Sequence, residues 1–208
     1  MDNDLVYKIA LTQIVGIGPV NAKSLIAYAG SVKGVFKLSK TQLEKIPGIG
    51  SILAQNILCF NDFSKAEKEV EFTEKNGIKA LFFLDKEYPY RLKNIPDAPI
   101  VLYTKGDVSL SPAKSIAVVG TRKMTEYGKH FLETFIEEIK AYQPTIISGL
   151  AYGVDITAHR LCVKHQLPTF GVVAHGLDRI YPAIHTSTAK KMVEQGGCLI
   201  TELTSGSN

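Results

Sequence analysis

The sequence lacks any run of about 18 apolar residues, so nothing in it reads as a membrane-spanning helix. Its first residues, MDNDLVYK, are acidic and carry neither an apolar stretch nor a cleavage site, which argues against a signal peptide. Cysteine is scarce and odd in number. Cys59, Cys162 and Cys198 are far apart and each lies in an apolar stretch, so they read as buried thiols of a reducing, cytoplasmic protein and not as a disulfide framework. An excess of charge of one sign is also small: 24 Lys and Arg stand against 20 Asp and Glu. The net charge of +4 permits a polyanionic partner without demanding one. There is no G-x-G-x-x-G opening a helix and no G-x-x-x-x-G-K-[ST], so the dinucleotide and nucleoside-triphosphate folds lack their fingerprints.

What is present begins with a repeat. LTQIVGIGPVNAKSLIAY (11–28) aligns without gaps on LEKIPGIGSILAQNILCF (43–60). Each copy reads as helix, Gly-x-Gly hairpin, helix. The glycines admit backbone conformations closed to other residues, and the hairpin N–H groups at a helix N-terminus form an anion site. Gly16, Gly18 and Lys23 are therefore candidate phosphate contacts; a plainer reading has the glycines only shaping the packing of the two hairpins. The second copy has no cation beside its hairpin and reads as structural or as a partner surface. The pattern resembles the helix–hairpin–helix family, whose hairpins hold DNA phosphates.

The repeat ends near residue 63, which sets the expected division: a small all-α domain over 1–63 and an α/β domain over 64–208. Ser64 to Glu67 reads as a capping box, and Asn76-Gly77 as the end of the helix it starts. Apolar β-rich runs follow at 79–84 and 99–104. From Ser115 strands and helices alternate. Strands are expected at 116–119, 145–148, 169–174 and 198–201, with helices near 126–141, 153–166 and 184–195. Short continuous apolar strands separated by amphipathic helices predict an α/β fold: a Rossmann-like, mostly parallel sheet with helices on both faces.

Right-handed crossovers bring the strand C-termini to one edge, where ligands of open α/β sheets bind. Three glycine loops meet there: Gly120-Thr121-Arg122-Lys123, Ser148-Gly149 to Gly153, and Gly176 to Arg179. Gly120, Thr121, Arg122, Lys123, Ser148, Gly149, Gly153, Gly176 and Arg179 are the candidate phosphate-binding residues. Asp155 reads as a helix cap or as an orienter of Arg122 or a backbone loop. Tyr88, Tyr90, Tyr152 and Tyr181 are candidate base-stacking rings, each with ordinary packing as the plainer reading. His159, Cys162 and His165 spread around a helix and cannot converge on one ion, and Asp155, Asp178 and Glu202 are explained more simply as caps and turns than as a magnesium cluster. No metal, cofactor or catalytic residue is expected.

The blocks SIAVVGTRKMTEYG, IISGLAYGVDITAHR, GLDRIYP and GGCLITE resemble the DprA/Smf family of DNA-processing proteins of bacterial natural transformation. The resemblance implies an extended Rossmann-like domain, after the hairpins, that binds and protects single-stranded DNA, helps load the RecA recombinase and, in full-length members, forms a homodimer. It implies no catalysis. His185 stands where the family often has asparagine. The chain also ends just after the fourth core strand, where family members continue with a basic segment and further strands, so the resemblance implies truncation at the C-terminus. Two other readings stay open: an α/β enzyme cleaving nucleoside monophosphates, whose proline–glycine–glycine–x–glycine–threonine loop is absent here, and a protein-interaction scaffold built on the helical repeat.

Overall fold

The computed structural model describes residues 3–207. The chain forms two compact units, Met1–Leu102 and Tyr103–Asn208.

The first unit opens with the repeat. Its helices are α1 (Asn3–Gln13), α2 (Pro19–Ala29), α3 (Val32–Val35), α4 (Lys40–Leu43) and α5 (Ser51–Cys59). The two hairpins have the same backbone. Gly16 and Gly48 sit at φ 84° and 87°, and Gly18 and Gly50 cap α2 and α5 in the extended region. Positive φ explains the first glycine of each pair. Packing adds a second reason: a Cβ on Gly16 would lie 2.6 Å from Leu53, and one on Gly48 would lie 2.9 Å from Asn21 of the opposite copy. The Asn56 amide donates to the Val15 carbonyl at 2.9 Å, tying one hairpin to the other.

Helix α6 (Ser64–Asn76) packs on α1 and ends at Gly77 in the left-handed region. The capping box expected at its start is not formed. Ser64 is the first helical residue, and its N–H is accepted by Asp62, two residues earlier. Cys59 also departs from expectation. It is exposed, because the last turn of α5 faces outward there, whereas Cys162 and Cys198 are buried. Strand β1 (Lys79–Phe82) stops short of 84 where the Asp85 carboxylate accepts the Phe82 N–H and closes a turn. After α7 (Tyr90–Lys93) comes β2 (Val101–Lys105), beside which β1 lies.

In the second unit the strands run β2-β6-β5-β4-β3. They are β3 (Ser115–Ala117), β4 (Thr145–Ser148), β5 (Thr169–Val172) and β6 (Cys198–Thr201), with α8 (Glu126–Ile139), α9 (Val154–Lys164) and α10 (Thr186–Glu194) between them. β3, β4, β5 and β6 pair in parallel, and Tyr103–Lys105 pairs antiparallel with β6. The unit is thus a mixed α/β fold with a mostly parallel sheet. Leu132 and Ile136 of α8 meet Ile146 of β4 and Ala158, Leu161 and Cys162 of α9 in one apolar cluster. Ile156 of α9, Ala189 and Met192 of α10 and Leu199 of β6 form a second. β3 has a neighbour on one side only, and Val119 beyond it is 77% exposed.

Among the described residues no helix is long and apolar enough to cross a membrane.

Candidate nucleic-acid interface

The parallel strands end together, and their loops enclose a crevice of about 700 Å³ lined by Arg122, Gly149, Tyr152, His175, Arg179 and Tyr181, among others. Arg122, Gly149 and Arg179 are thus brought together as the sequence suggested. Gly120, Thr121, Lys123, Ser148, Gly153 and Gly176 stand in the same loops but outside the lining.

The first loop is shaped by Thr121, whose hydroxyl accepts the Lys123 N–H at 3.1 Å. That turn leaves Arg122 and Lys123 exposed, and neither side chain has a hydrogen bond or ion pair among the described residues. Gly120 fits against Val154, which a Cβ would meet at 2.6 Å. Gly153, at φ 79°, lies against the carbonyls of Thr121 and Arg122. The Thr121 carbonyl accepts the Val154 N–H at 3.2 Å. One N–H at the start of α9 is therefore spent on the Arg122 loop.

The second loop is held from below. The Ser148 hydroxyl is buried and donates to the Val118 carbonyl at 2.6 Å. The Asp155 carboxylate, also buried, accepts the Gly149 N–H at 3.2 Å. Leu150 is fully buried at φ 60°, and its carbonyl accepts His185 Nδ1–H at 2.8 Å. His185 therefore does have a polar role, and its ring also meets Tyr152 edge-on at 5.0 Å.

The third loop is ordered by His175. Its Nε2 accepts the Tyr181 N–H at 3.2 Å, which makes Nδ1 the donor to the Gly176 carbonyl at 2.8 Å. Residues 204–207 close over this loop. Gly176 N–H and Arg179 both donate to the Ser207 carbonyl, and Asp178 accepts the Gly206 N–H. Arg179 spends one of its five N–H donors this way. Nothing in the local sequence signals that contact, which spans 28 residues.

The electrostatic balance follows. The glycine-loop N–H groups of Gly149 and Gly176 are engaged within the protein, whereas the side chain of Arg122 is free. The free polar groups facing this crevice are therefore side chains more than a backbone cradle. Tyr152 and Tyr181, 49% and 68% exposed, offer ring faces at the same place. Tyr88 does not: it is buried, with its hydroxyl on the Pro99 carbonyl. Tyr90 is exposed but belongs to the other unit.

The remaining ionisable candidates disperse. His159 Nδ1 donates to Thr169, and His165 meets Glu137 at 3.3 Å. Burial pushes the Cys162 thiol up to about 12. Among the described residues no three His, Cys, Asp or Glu side chains are grouped to hold a metal ion. In the first unit Lys23 donates to the carbonyls of Ile95 and Pro96 at 3.0 and 2.9 Å and lies over the Phe83 ring. Its ammonium is thus engaged by the chain's own 95–96 loop.

The chain is similar to known proteins over both its helical repeat and its α/β region. The profile of SAM-like helix–hairpin–helix tandems matches residues 8–58. The DNA processing protein DprA of Bacillus subtilis is 36% identical over 133 residues, 64% of this chain and 45% of its own length. The Smf protein of a Synechocystis strain is 27% identical over 199 residues, 94% of this chain and 50% of its own. The chain thus spans about half the length of these relatives. An X-ray structure of DprA from Streptococcus pneumoniae superposes with a TM-score of 0.77 at 24% identity, over 98% of this chain and 69% of that one, a likeness of fold. A Helicobacter pylori DprA structure, described for its unique single-stranded DNA binding mode, superposes with a TM-score of 0.54 at 27% identity, over 63% of this chain and 58% of that one. The profile of DNA recombination-mediator protein A matches residues 79–208, more than half of the sequence, and the chain belongs to that family.

Proposed function

We propose that this chain binds single-stranded DNA in the strand-end crevice of its second unit, as a cytoplasmic DNA-processing protein of DNA uptake. The carrying observation is the free Arg122 guanidinium at a crevice flanked by Tyr152 and Tyr181. A guanidinium grips a phosphate through two parallel hydrogen bonds, and exposed rings stack on unpaired bases whatever their sequence. Arg122, Lys123 and Arg179 supply the charge; Gly120, Thr121, Ser148, Gly149, Gly153 and Gly176 shape the loops that present it. The helix–hairpin–helix region over 1–63 is accessory to the DNA-binding region over 64–208, since Lys23 is engaged elsewhere. The family description as a recombination mediator supports a further role in handing the strand to the RecA recombinase; the homodimer that the DprA/Smf resemblance implies for full-length members is part of the same proposal.

The enzyme reading is less well supported. The proline–glycine–glycine–x–glycine–threonine loop of the nucleotide-cleaving α/β family has no counterpart in the sequence, where Gly196-Gly197 is followed by Cys198-Leu199-Ile200-Thr201-Glu202. Titration of labelled single-stranded oligonucleotide, the matching duplex and free nucleoside monophosphate at several salt concentrations tests the proposal. Tighter binding of the single strand, without nucleotide turnover, is expected. Equal or tighter duplex binding at the same salt would sink it.

A further inference from the structure

The first unit carries a cavity of about 450 Å³ that the function proposed above does not use. Four rings line it: Tyr7 of α1, Phe36 after α3, and Phe60 and Phe63 between α5 and α6. Phe63 stands 5.2 Å from Tyr7, 5.3 Å from Phe36 and 5.4 Å from Phe60, so the rings form one continuous cluster. All four are half-buried, whereas Phe82 and Tyr88 of the same unit are each 2% exposed. The cluster therefore presents aromatic surface to solvent instead of closing a core.

The polar groups of the cavity are Lys33, Lys37 and Asn61. Lys33 Nζ stands 5.5 Å from the Tyr7 ring centre and 4.0 Å from Asp4. Lys37 and Asn61 are exposed, and Lys37 has no ion pair among the described residues. Open aromatic clusters commonly take cations, but two ammonium groups beside this one oppose a cation. They favour a ligand that is planar, aromatic and negatively charged at once. An unpaired nucleobase with its phosphate has that combination: the rings give stacking faces, the lysines meet the phosphate, and the Asn61 amide can both donate to and accept from a base edge. An acidic peptide meets the charge, but its main chain needs a row of hydrogen-bonding partners, and the cavity offers one amide.

We propose that the aromatic cleft of the first unit holds an unpaired base of a single-stranded polynucleotide, with the adjoining phosphate on Lys33 and Lys37. The site is independent of the strand-end crevice.

The test is photocrosslinking of the whole chain to short oligo(dT) and oligo(U), each carrying 5-iodouracil bases, with the crosslinked peptides mapped by mass spectrometry. Adducts are expected on the peptides holding Phe36, Phe60 or Phe63, and their yield should fall several-fold in Lys33→Gln/Lys37→Gln. Comparing the two oligonucleotides tells DNA from RNA as the source of the base. Adducts confined to the loops of residues 120–123, 149–153 and 175–182 would overturn the cleft and leave the crevice standing. Adducts confined to the cleft would do the reverse, and none in either place would overturn both. Cleft adducts unchanged by the lysine substitutions would also overturn the proposal, as would an acidic, tyrosine-containing peptide that binds the cleft when the oligonucleotides do not.

Discussion

The carboxylate of Asp155, in the first turn of α9, accepts the N–H of Gly149 just after β4, 3.2 Å away. The two are so close that a Cβ on Gly149 would stand 2.7 Å from the same oxygen. An aspartate beside an anion site is unfavourable unless its charge is used. Here it fixes the loop that brings Gly149, Ala151 and Tyr152 to the crevice.

Asp155→Ala should therefore cost stability, since the Gly149 N–H would lose a charged acceptor in a half-buried setting. Hydrogen bonds to charged groups contribute roughly 1.5–3 kcal/mol. Urea unfolding should show a loss of that order, and Asp155→Asn, which keeps an acceptor oxygen, should recover part of it. An unchanged midpoint in Asp155→Ala would mean that the loop is held by its other contacts alone.

The thiols give a quick check of burial. Cys59 is exposed, and Cys162 and Cys198 are buried. The thiolate is the reactive form, and burial moves Cys162 further from it, up to about 12. A chromogenic disulfide reagent should modify Cys59 alone in the native protein and all three cysteines in denaturant. Rapid native labelling of Cys162 would contradict the packing of α8 and α9.

Where signals are local, sequence and structure agree closely. β4 and β6 occupy the expected 145–148 and 198–201, because each is a short apolar run bounded by turn residues. The two Gly-Ile-Gly hairpins match in backbone as they match in sequence. The misses are places where a distant partner or an outward-facing turn decides the outcome. Lys23 beside a hairpin reads as a candidate phosphate contact, and nothing near it in sequence signals that carbonyls 72 and 73 residues away accept from its ammonium. Cys59 reads as buried because its neighbours are apolar, but Leu58 is itself 43% exposed. Glycine loops suggest free N–H groups, yet Asp155 and Ser207 accept from Gly149 and Gly176. The position of Arg122 was legible because it depends on the strand-end turn alone.

His159 should make stability fall with acid. It is fully buried, its Nδ1 donates to Thr169 and its Nε2 is unbonded. Burial holds its imidazole at about 4, down from an ordinary 6.5; the Ser148 main chain opposes that shift and His185 reinforces it. The neutral ring is the folded form, so the unfolded chain binds the extra proton as pH falls below 6.5. The stabilisation is complete above that pH and is lost as pH falls toward 4. At 1.36 kcal/mol per pKa unit, about 2 kcal/mol should be gone by pH 5. Urea unfolding at pH 7.5 and pH 5 should show that loss in the parent and a smaller one in His159→Gln. Equal losses in both would assign the acid sensitivity to other groups.

Arg122 carries the sharpest test of the crevice. It is exposed directly after the Gly120-Thr121 turn, with no partner among the described residues. Arg122→Ala should remove one charge-assisted phosphate contact, weakening single-stranded DNA binding by on the order of 1.5–3 kcal/mol. The slope of log affinity against log salt should flatten by roughly 0.7, the amount expected for one phosphate released from a single strand. Arg122→Lys should recover only part of the affinity, because an ammonium cannot reproduce the two parallel hydrogen bonds of a guanidinium. Stability should barely change, since the side chain packs into no core. Lys140→Ala is the control. That lysine pairs with Glu137 at the far end of α8 and should leave binding nearly unaltered. Should Arg122→Ala keep both the affinity and the salt slope of the parent, single-stranded DNA does not bind at the strand-end crevice.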